Sequence, residues 1–481
     1  MAPVSDTQPV RTTIRISTGP LAGTSDGGIH RFLGIPYAAP PFGERRFALP
    51  EPVEPWEDVR DATAFGPTAP QDPYFGAIGE LLGSVEIPGE DILTVNVWAP
   101  EHSPAEGLPV MVWYHGGALE RGTAALPAYD GTTFARDGIV FASVNYRLGS
   151  EGFSVLEGAP LNLGLSDAAA GLAWVHREIA AFGGDPRRIT IVGESAGGAV
   201  VAGLLARPDS ASLVAGAVIE SGPLEAVTPE RAGRVTKELA RRLGVPATAE
   251  AFRAISPRQL LDVRKTQAAG GSPLGGAPGF TMAVDPDSLP VSPDRALIDV
   301  EVPVIVGSNT DEYRLWFPPE ALARISRAQL LAARLGLRIP GRTVRAYRRA
   351  LPGASAGEIL GQLATDRLLR GHAVRAADRR QSPTYVYEFA WPSPVRDLRA
   401  AHALEIGFVF DHGGDEDSIR LVGPDAPQSL ADRMHGDWVR FLRTGDPGWP
   451  AFRPDRRVQI FDAESRVEPL PRAAALDALP L

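Results

Sequence analysis

The 481-residue chain contains no cysteine. That excludes disulfides, thiolate-bound zinc, cysteine-ligated iron–sulfur clusters and a cysteine nucleophile. Lysine is nearly absent too: Lys237 and Lys265 are its only occurrences, so almost all of the 48 basic residues are arginine. With 51 Gly and 45 Pro, this bias reads as GC-rich codon usage more than as function. No apolar run reaches the ~18 residues that a membrane-spanning helix needs, and Met1 to Ser17 holds no apolar core of signal-peptide length. A soluble cytoplasmic protein is expected, with secretion as the alternative. The net charge of −10 argues against a basic face for nucleic acid. P-loop, dinucleotide and HExxH zinc motifs are all missing, so no metal and no organic cofactor is expected.

What is present is an ordinary globular composition, 44% hydrophobic and 22% charged, in a chain long enough for a large core. Val10 to Ile16 alternates at period two and predicts a half-exposed strand. Short apolar runs follow at Val110–Tyr114, Ile139–Val144, Ile189–Val192, Val302–Val306 and Thr384–Phe389. They have the pattern of buried strands in a mainly parallel sheet covered on both faces. Helical spacing runs from Ser166 to Phe182 and stops at Gly183-Gly184-Asp185-Pro186; a small-residue helix is expected over 196–206. Strands alternating with helices give an α/β class. Residues 223–300, with the Gly/Ala/Pro-rich stretch 268–279, and 318–380 read as helical cap insertions in one domain spanning 1–481.

The strongest local motif is Gly193-Glu194-Ser195-Ala196-Gly197. It follows a predicted strand and opens a predicted helix, the setting in which small neighbours let the chain turn sharply and expose a serine hydroxyl. A serine nucleophile needs a base and an acid to orient the base. His402, in Ala401-His402-Ala403-Leu404-Glu405, is the best base among eight histidines. His30, His102, His176, His372, His412 and His435 lie in polar or amphipathic surroundings and read as structural or solvated. His115 opens His115-Gly116-Gly117-Ala118 after the strand at 110–114, where glycines leave backbone N–H groups free to bind an oxyanion. Asp311 and Glu312 follow the strand at 302–306, at the end of the sheet where α/β proteins place their sites. Spacing leaves either as the acid.

In these motifs the sequence resembles the type-B carboxylesterase/lipase family of α/β hydrolases, the family of cholinesterases and bacterial p-nitrobenzyl esterases. Further blocks carry the resemblance: Phe32 to Ala38 with Arg46-Phe47, Glu90 to Val97, Asn145 to Gly149, Phe182 to Pro186, and Gly445-Asp446-Pro447 with Trp449-Pro450. It implies the α/β-hydrolase fold, with a central mostly parallel sheet flanked by helices. It implies a Ser195–Glu312–His402 triad, choosing Glu312 over Asp311. It places the oxyanion donors on Gly117, Ala118 and Ala196, with Glu194, Ser221 and His115 nearby. The implied activity is hydrolysis of carboxylic esters of small to medium acyl chain through an acyl-enzyme. Amides, carbamates or thioesters are alternative substrates, and a binding protein on this fold is the competing class. The implied partner is a small-molecule ester, and the assembly a monomer or small homo-oligomer.

Some positions depart from the family pattern. Ala118 replaces a frequent third glycine, Leu119 a frequent aromatic and Tyr313 a glycine. Leu119, Trp316 and Phe317 are expected at the pocket. Glu120-Arg121 reads as a surface ion pair, and Asp411 to Asp417 as a solvated acidic loop.

Overall fold

A computed structural model describes residues 10–268 and 279–481; most of the Gly/Ala/Pro-rich stretch 268–279 therefore lies outside the described residues. Thirteen strands of these residues form one sheet. In chain order they are β1 (Val10–Ile16), β2 (Gly19–Asp26), β3 (Ile29–Pro36), β4 (Arg60–Asp61), β5 (Thr94–Pro100), β6 (Leu108–Tyr114), β7 (Val140–Val144), β8 (Gly184–Glu194), β9 (Gly216–Glu220), β10 (Val304–Asn309), β11 (Thr384–Phe389), β12 (Arg457–Phe461) and β13 (Arg466–Pro469). The spatial order is β1-β2-β3-β5-β7-β6-β8-β9-β10-β11-β12-β13, with β4 beside β2. From β7 to β12 every neighbouring pair is parallel. The outer pairs are antiparallel except β2 with β4, which is parallel.

The apolar runs are continuous because both faces of the parallel strands are covered. In β6, Val110, Val112 and Tyr114 join one buried cluster, while Met111 and Trp113 join the other. Helices α1 (Leu163–Glu178) and α2 (Ala196–Leu205) supply the first cluster. The second takes Phe134, the segment Ile406–Val409 and helix α4 (Gln428–Thr444). Helix α3 (Pro257–Ala268) lies in the connection between β9 and β10. The connection between β10 and β11 carries the helices Arg327–Gly336, Gly341–Ala350, Ala356–Thr365 and Gly371–Arg379. Leu330, Tyr347, Ile359 and Leu363 there form a separate small core with the C-terminal Ala475 and Leu479. No helix of the described residues is long and apolar enough to cross a membrane.

The strand order reverses beside β6. The chain leaves β6 for β7 on one side and returns to β8 on the other. A crevice opens at such a switch point at the carboxyl ends of the strands. The loop after β6 and the turn after β8 meet there.

Candidate active site

Ser195 is the single residue between β8 and α2. Its φ of 56° and ψ of −121° cost of order 1–3 kcal/mol for a residue with a side chain. The turn is possible because its neighbours are glycine. A Cβ on Gly197 would overlap the Tyr114 carbonyl of β6, and one on Gly193 would overlap the Gly197 carbonyl. The Ser195 N–H is fixed on the Glu220 carbonyl of β9 at 2.8 Å. Its Oγ lies 2.8 Å from His402 Nε2.

His402 sits in the connection after β11, and its Nδ1 lies 2.6 Å from Glu312 Oε2. A carboxylate only accepts, so Nδ1 carries the hydrogen and Nε2 of the neutral ring accepts from the serine hydroxyl. Glu312 follows β10 and is fully buried. Its Oε1 accepts from the Asn309 N–H at 2.8 Å and the Ser221 hydroxyl at 2.7 Å. The Trp316 ring packs 4.7 Å from the imidazole, centre to centre.

The loop after β6 presents backbone donors by a simple device. In a trans peptide the C=O and N–H point in opposite directions, so holding one carbonyl aims the next N–H. The Gly116 carbonyl accepts from His115 Nδ1 at 2.8 Å, which orients the Gly117 N–H. The Gly117 carbonyl accepts from the N–H groups of Glu120 and Arg121, each at 3.1 Å, which orients the Ala118 N–H. The Ser195 carbonyl accepts from the Ala199 N–H at 3.0 Å, which orients the Ala196 N–H at the start of α2. None of these three N–H groups has a protein acceptor among the described residues. Burial lowers His115 to about 4, so its ring is neutral. Tyr146 stacks on it at 4.6 Å and donates its hydroxyl to the His115 carbonyl.

Ser195, His402, Gly117, Ala118 and Ala196 all face one cavity of about 650 Å³. The sequence pattern of the Carboxylesterase family matches residues 10–465. This chain belongs to the carboxylesterase family. It is 36% identical to the para-nitrobenzyl esterase of Bacillus subtilis, with 94% of each chain covered. It is 35% identical to the phenmedipham hydrolase of Pseudarthrobacter oxydans, covering 93% of this chain and 94% of that one. A solved carboxylesterase of Geobacillus stearothermophilus superposes with a TM-score of 0.86 at 33% identity, covering 98% of this chain and all of that one. The protein is a serine carboxylesterase with the α/β-hydrolase fold.

Around His402 the carboxylesterase buries an excess of carboxyl groups. Glu194 Oε1 lies 3.1 Å from His402 Nε2, and burial raises Glu194 to about 8, against the pull of His402. Burial alone would lower His402, but the carboxylates of Glu194 and Glu312 overcome it and raise the imidazole to about 9. The two sites compete for one proton. With the proton on Glu194, the strongest pull on His402 is gone and the ring is free to act as a base. Glu405, three residues beyond His402, is raised to about 7 by burial and by Glu312. Asn309 Nδ2 donates to its Oε2 at 2.5 Å, and its Oε1 lies 3.3 Å from Ser221 Oγ. Ser221 has one hydrogen, and its shorter contact, 2.7 Å, gives it to Glu312 rather than to Glu405. Glu220 is pushed well above the carboxylate range by burial and by Glu405, and accepts from Trp438 Nε1 at 2.7 Å.

The structure brings Ser195, Glu312, His402, Gly117, Ala118, Ala196, Glu194, Ser221 and His115 together. Leu119 and Trp316 line the cavity as expected, but Phe317 does not. The short helical turn Glu312–Leu315 carries Trp316 over His402 and leaves the next side chain facing elsewhere. Glu120 and Arg121 are not a surface pair. Glu120 binds Arg264 of α3, Arg121 lies over the Tyr74 ring, and both line the cavity. In the acidic loop, Asp415 caps the helix Glu416–Val422 and Asp417 reaches the cavity. Sequence reasoning missed Asn309, Glu405 and Arg264. Glu405 lies only three positions after His402, but Ala403 between them has a φ of 66° and the helix starts at Ile406, so no helical spacing signals it.

Proposed function

We propose that Ser195 is the nucleophile of this carboxylesterase, His402 its general base and acid, and Glu312 the group that orients His402. His402 takes the hydroxyl proton as Ser195 Oγ attacks the ester carbonyl. Glu312 holds the ring tautomer and stabilises the imidazolium. The N–H groups of Gly117, Ala118 and Ala196 stabilise the tetrahedral oxyanion, each worth about 10²–10³ in kcat. His402 then protonates the leaving alcohol, and water activated by the same ring releases the acid. The observation that carries the reading is the unbroken series Ser195 Oγ, His402, Glu312, with contacts of 2.8 Å and 2.6 Å, beside three donors without protein acceptors among the described residues. The cavity of about 650 Å³ suits esters of small to medium acyl chain. We read the chain as one catalytic domain, with the segments at about 223–300 and 318–380 as insertions walling the site.

The test is hydrolysis of p-nitrophenyl esters of rising acyl length by the wild type and Ser195→Ala. The variant is expected to lose about 10⁶ in kcat while melting at an unchanged temperature. Retention of most activity by Ser195→Ala would overturn the assignment.

A further inference from the structure

The segment that holds the oxyanion donors is strained. Gly117, Ala118, Leu119 and Gly122 have φ of 116°, 58°, 60° and 105°. For Ala118 and Leu119 the left-handed region costs about 1–2 kcal/mol each. Such backbone persists only where its surroundings over-determine it. Neutral tethers exist: the Gly149 N–H donates to the Leu119 carbonyl at 2.6 Å, and the Gln71 amide brackets Gly122, accepting at 2.7 Å and donating at 3.0 Å. Among the described residues one charged tether is present. Glu120 accepts from Arg264 Nη2 at 2.5 Å and from Nε at 3.0 Å.

This pair is built rather than incidental. The Arg264 and Glu120 side chains are only 10% and 13% exposed. Arg264 Nη1 donates to Gln267 at 2.9 Å, and the guanidinium lies over the Phe280 ring. The arginine is thus fixed in its own helix before it meets the loop. Glu120 also supplies one of the two N–H groups that hold the Gly117 carbonyl, the other being that of its neighbour Arg121. The Gly117 carbonyl and the Ala118 N–H are two ends of one rigid peptide. Fixing Glu120 therefore fixes one of the two donors that set the direction of the Ala118 N–H.

We propose that Arg264 of the first insertion is a positioning residue for ester hydrolysis, acting through Glu120 to hold the Ala118 N–H on the oxyanion. The inference rests on the oxyanion assignment above. It explains how a loop with alanine at a left-handed position keeps donor geometry: the insertion closes a bidentate ion pair over it. The donor matters most when the substrate oxygen carries charge, so the effect falls on the transition state rather than on substrate binding.

The test uses Arg264→Met, Glu120→Gln and their combination on p-nitrophenyl acetate, with phenylboronic acid as the tetrahedral mimic. Arg264→Met is expected to lower kcat by about tenfold to 10²-fold, with KM within about twofold. The boronate should lose affinity by a similar factor. Glu120→Gln should reproduce the loss, and the double variant should be no worse than either single one, because the two act as a unit. Arg264→Lys should recover part of kcat. An unchanged kcat with altered KM or acyl-length preference would overturn the proposal, making the pair a wall of the pocket. So would a lower melting temperature with unchanged boronate affinity, making it a structural brace. If Arg264→Met does not fold, Glu120→Gln decides by the same readouts. Ser195→Ala run alongside separates the two levels: activity surviving there sinks the site assignment, whereas its loss beside a normal Arg264→Met sinks only the role of Arg264.

Discussion

Two clusters of buried charge lie near the carboxyl ends of β10 and β11, and they behave in opposite ways. Around His402 stand Glu194, Glu312, Glu405 and Glu220, four carboxyl groups with one imidazole and no arginine in contact. Behind Glu312, at β11, Glu388 meets Arg370 at 2.8 Å and Arg472 at 2.6 Å. Asp366 accepts from the Tyr347 hydroxyl at 2.7 Å and lies 3.9 Å from Arg370. Burial would raise Glu388 as it raises Glu194, yet the two arginines hold it down to about 2. Both clusters are removed from water. In one, carboxyl groups outnumber cations, so protons remain exchangeable near neutral pH. In the other, arginine balances the charge and keeps Glu388 ionised. The difference teaches that burial alone does not make a reactive site; the local excess of one sign does.

The comparison can be broken at its strongest point first. Glu312→Gln keeps the shape of the site but removes the charge that fixes the His402 tautomer. It should lower kcat by about 10⁴ with little change in melting temperature, measured on the same purified protein by ester hydrolysis and calorimetry. In the balanced cluster the loss should go the other way. Arg370→Met leaves Glu388 and Asp366 short of a buried partner and should cost about 3–5 kcal/mol of stability. Urea unfolding measures that cost, and kcat per folded molecule should stay near wild type. A large kcat loss from Arg370→Met without destabilisation would erase the distinction between the clusters.

The legible part of the site was the part that chemistry ties to sequence spacing. Ser195 is marked by glycines that the turn requires, and Gly117-Ala118 follows a strand whose apolar run is continuous. Spacing alone left Asp311 and Glu312 equal; burial separates them, since Glu312 faces His402 while Asp311 turns toward Arg314. Strands β2 and β3 give no clear sequence signal because Gly, Pro, Ser, His and Arg interrupt any period-two alternation of apolar residues. The pairing of Glu120 with Arg264 spans 144 positions, and no local pattern signals such a contact. Its neighbour Arg121 offered the simpler partner and misled the reading. Glu405 was not legible, because it precedes the helical segment that starts at Ile406 and its role depends on Ser221 and Asn309, which arrive from β9 and β10.

The central claim is that surplus buried carboxylate sets the proton affinity of His402. It is tested most directly by the pH dependence of kcat/KM for the wild type and Glu194→Gln. His402 must be neutral to accept the serine proton, so activity falls as pH drops through its pKa. The Glu194 carboxylate raises that pKa, and removing the charge should move the acidic limb to lower pH by about 1–3 units. An acidic limb that stays in place, or moves to higher pH, would contradict the account.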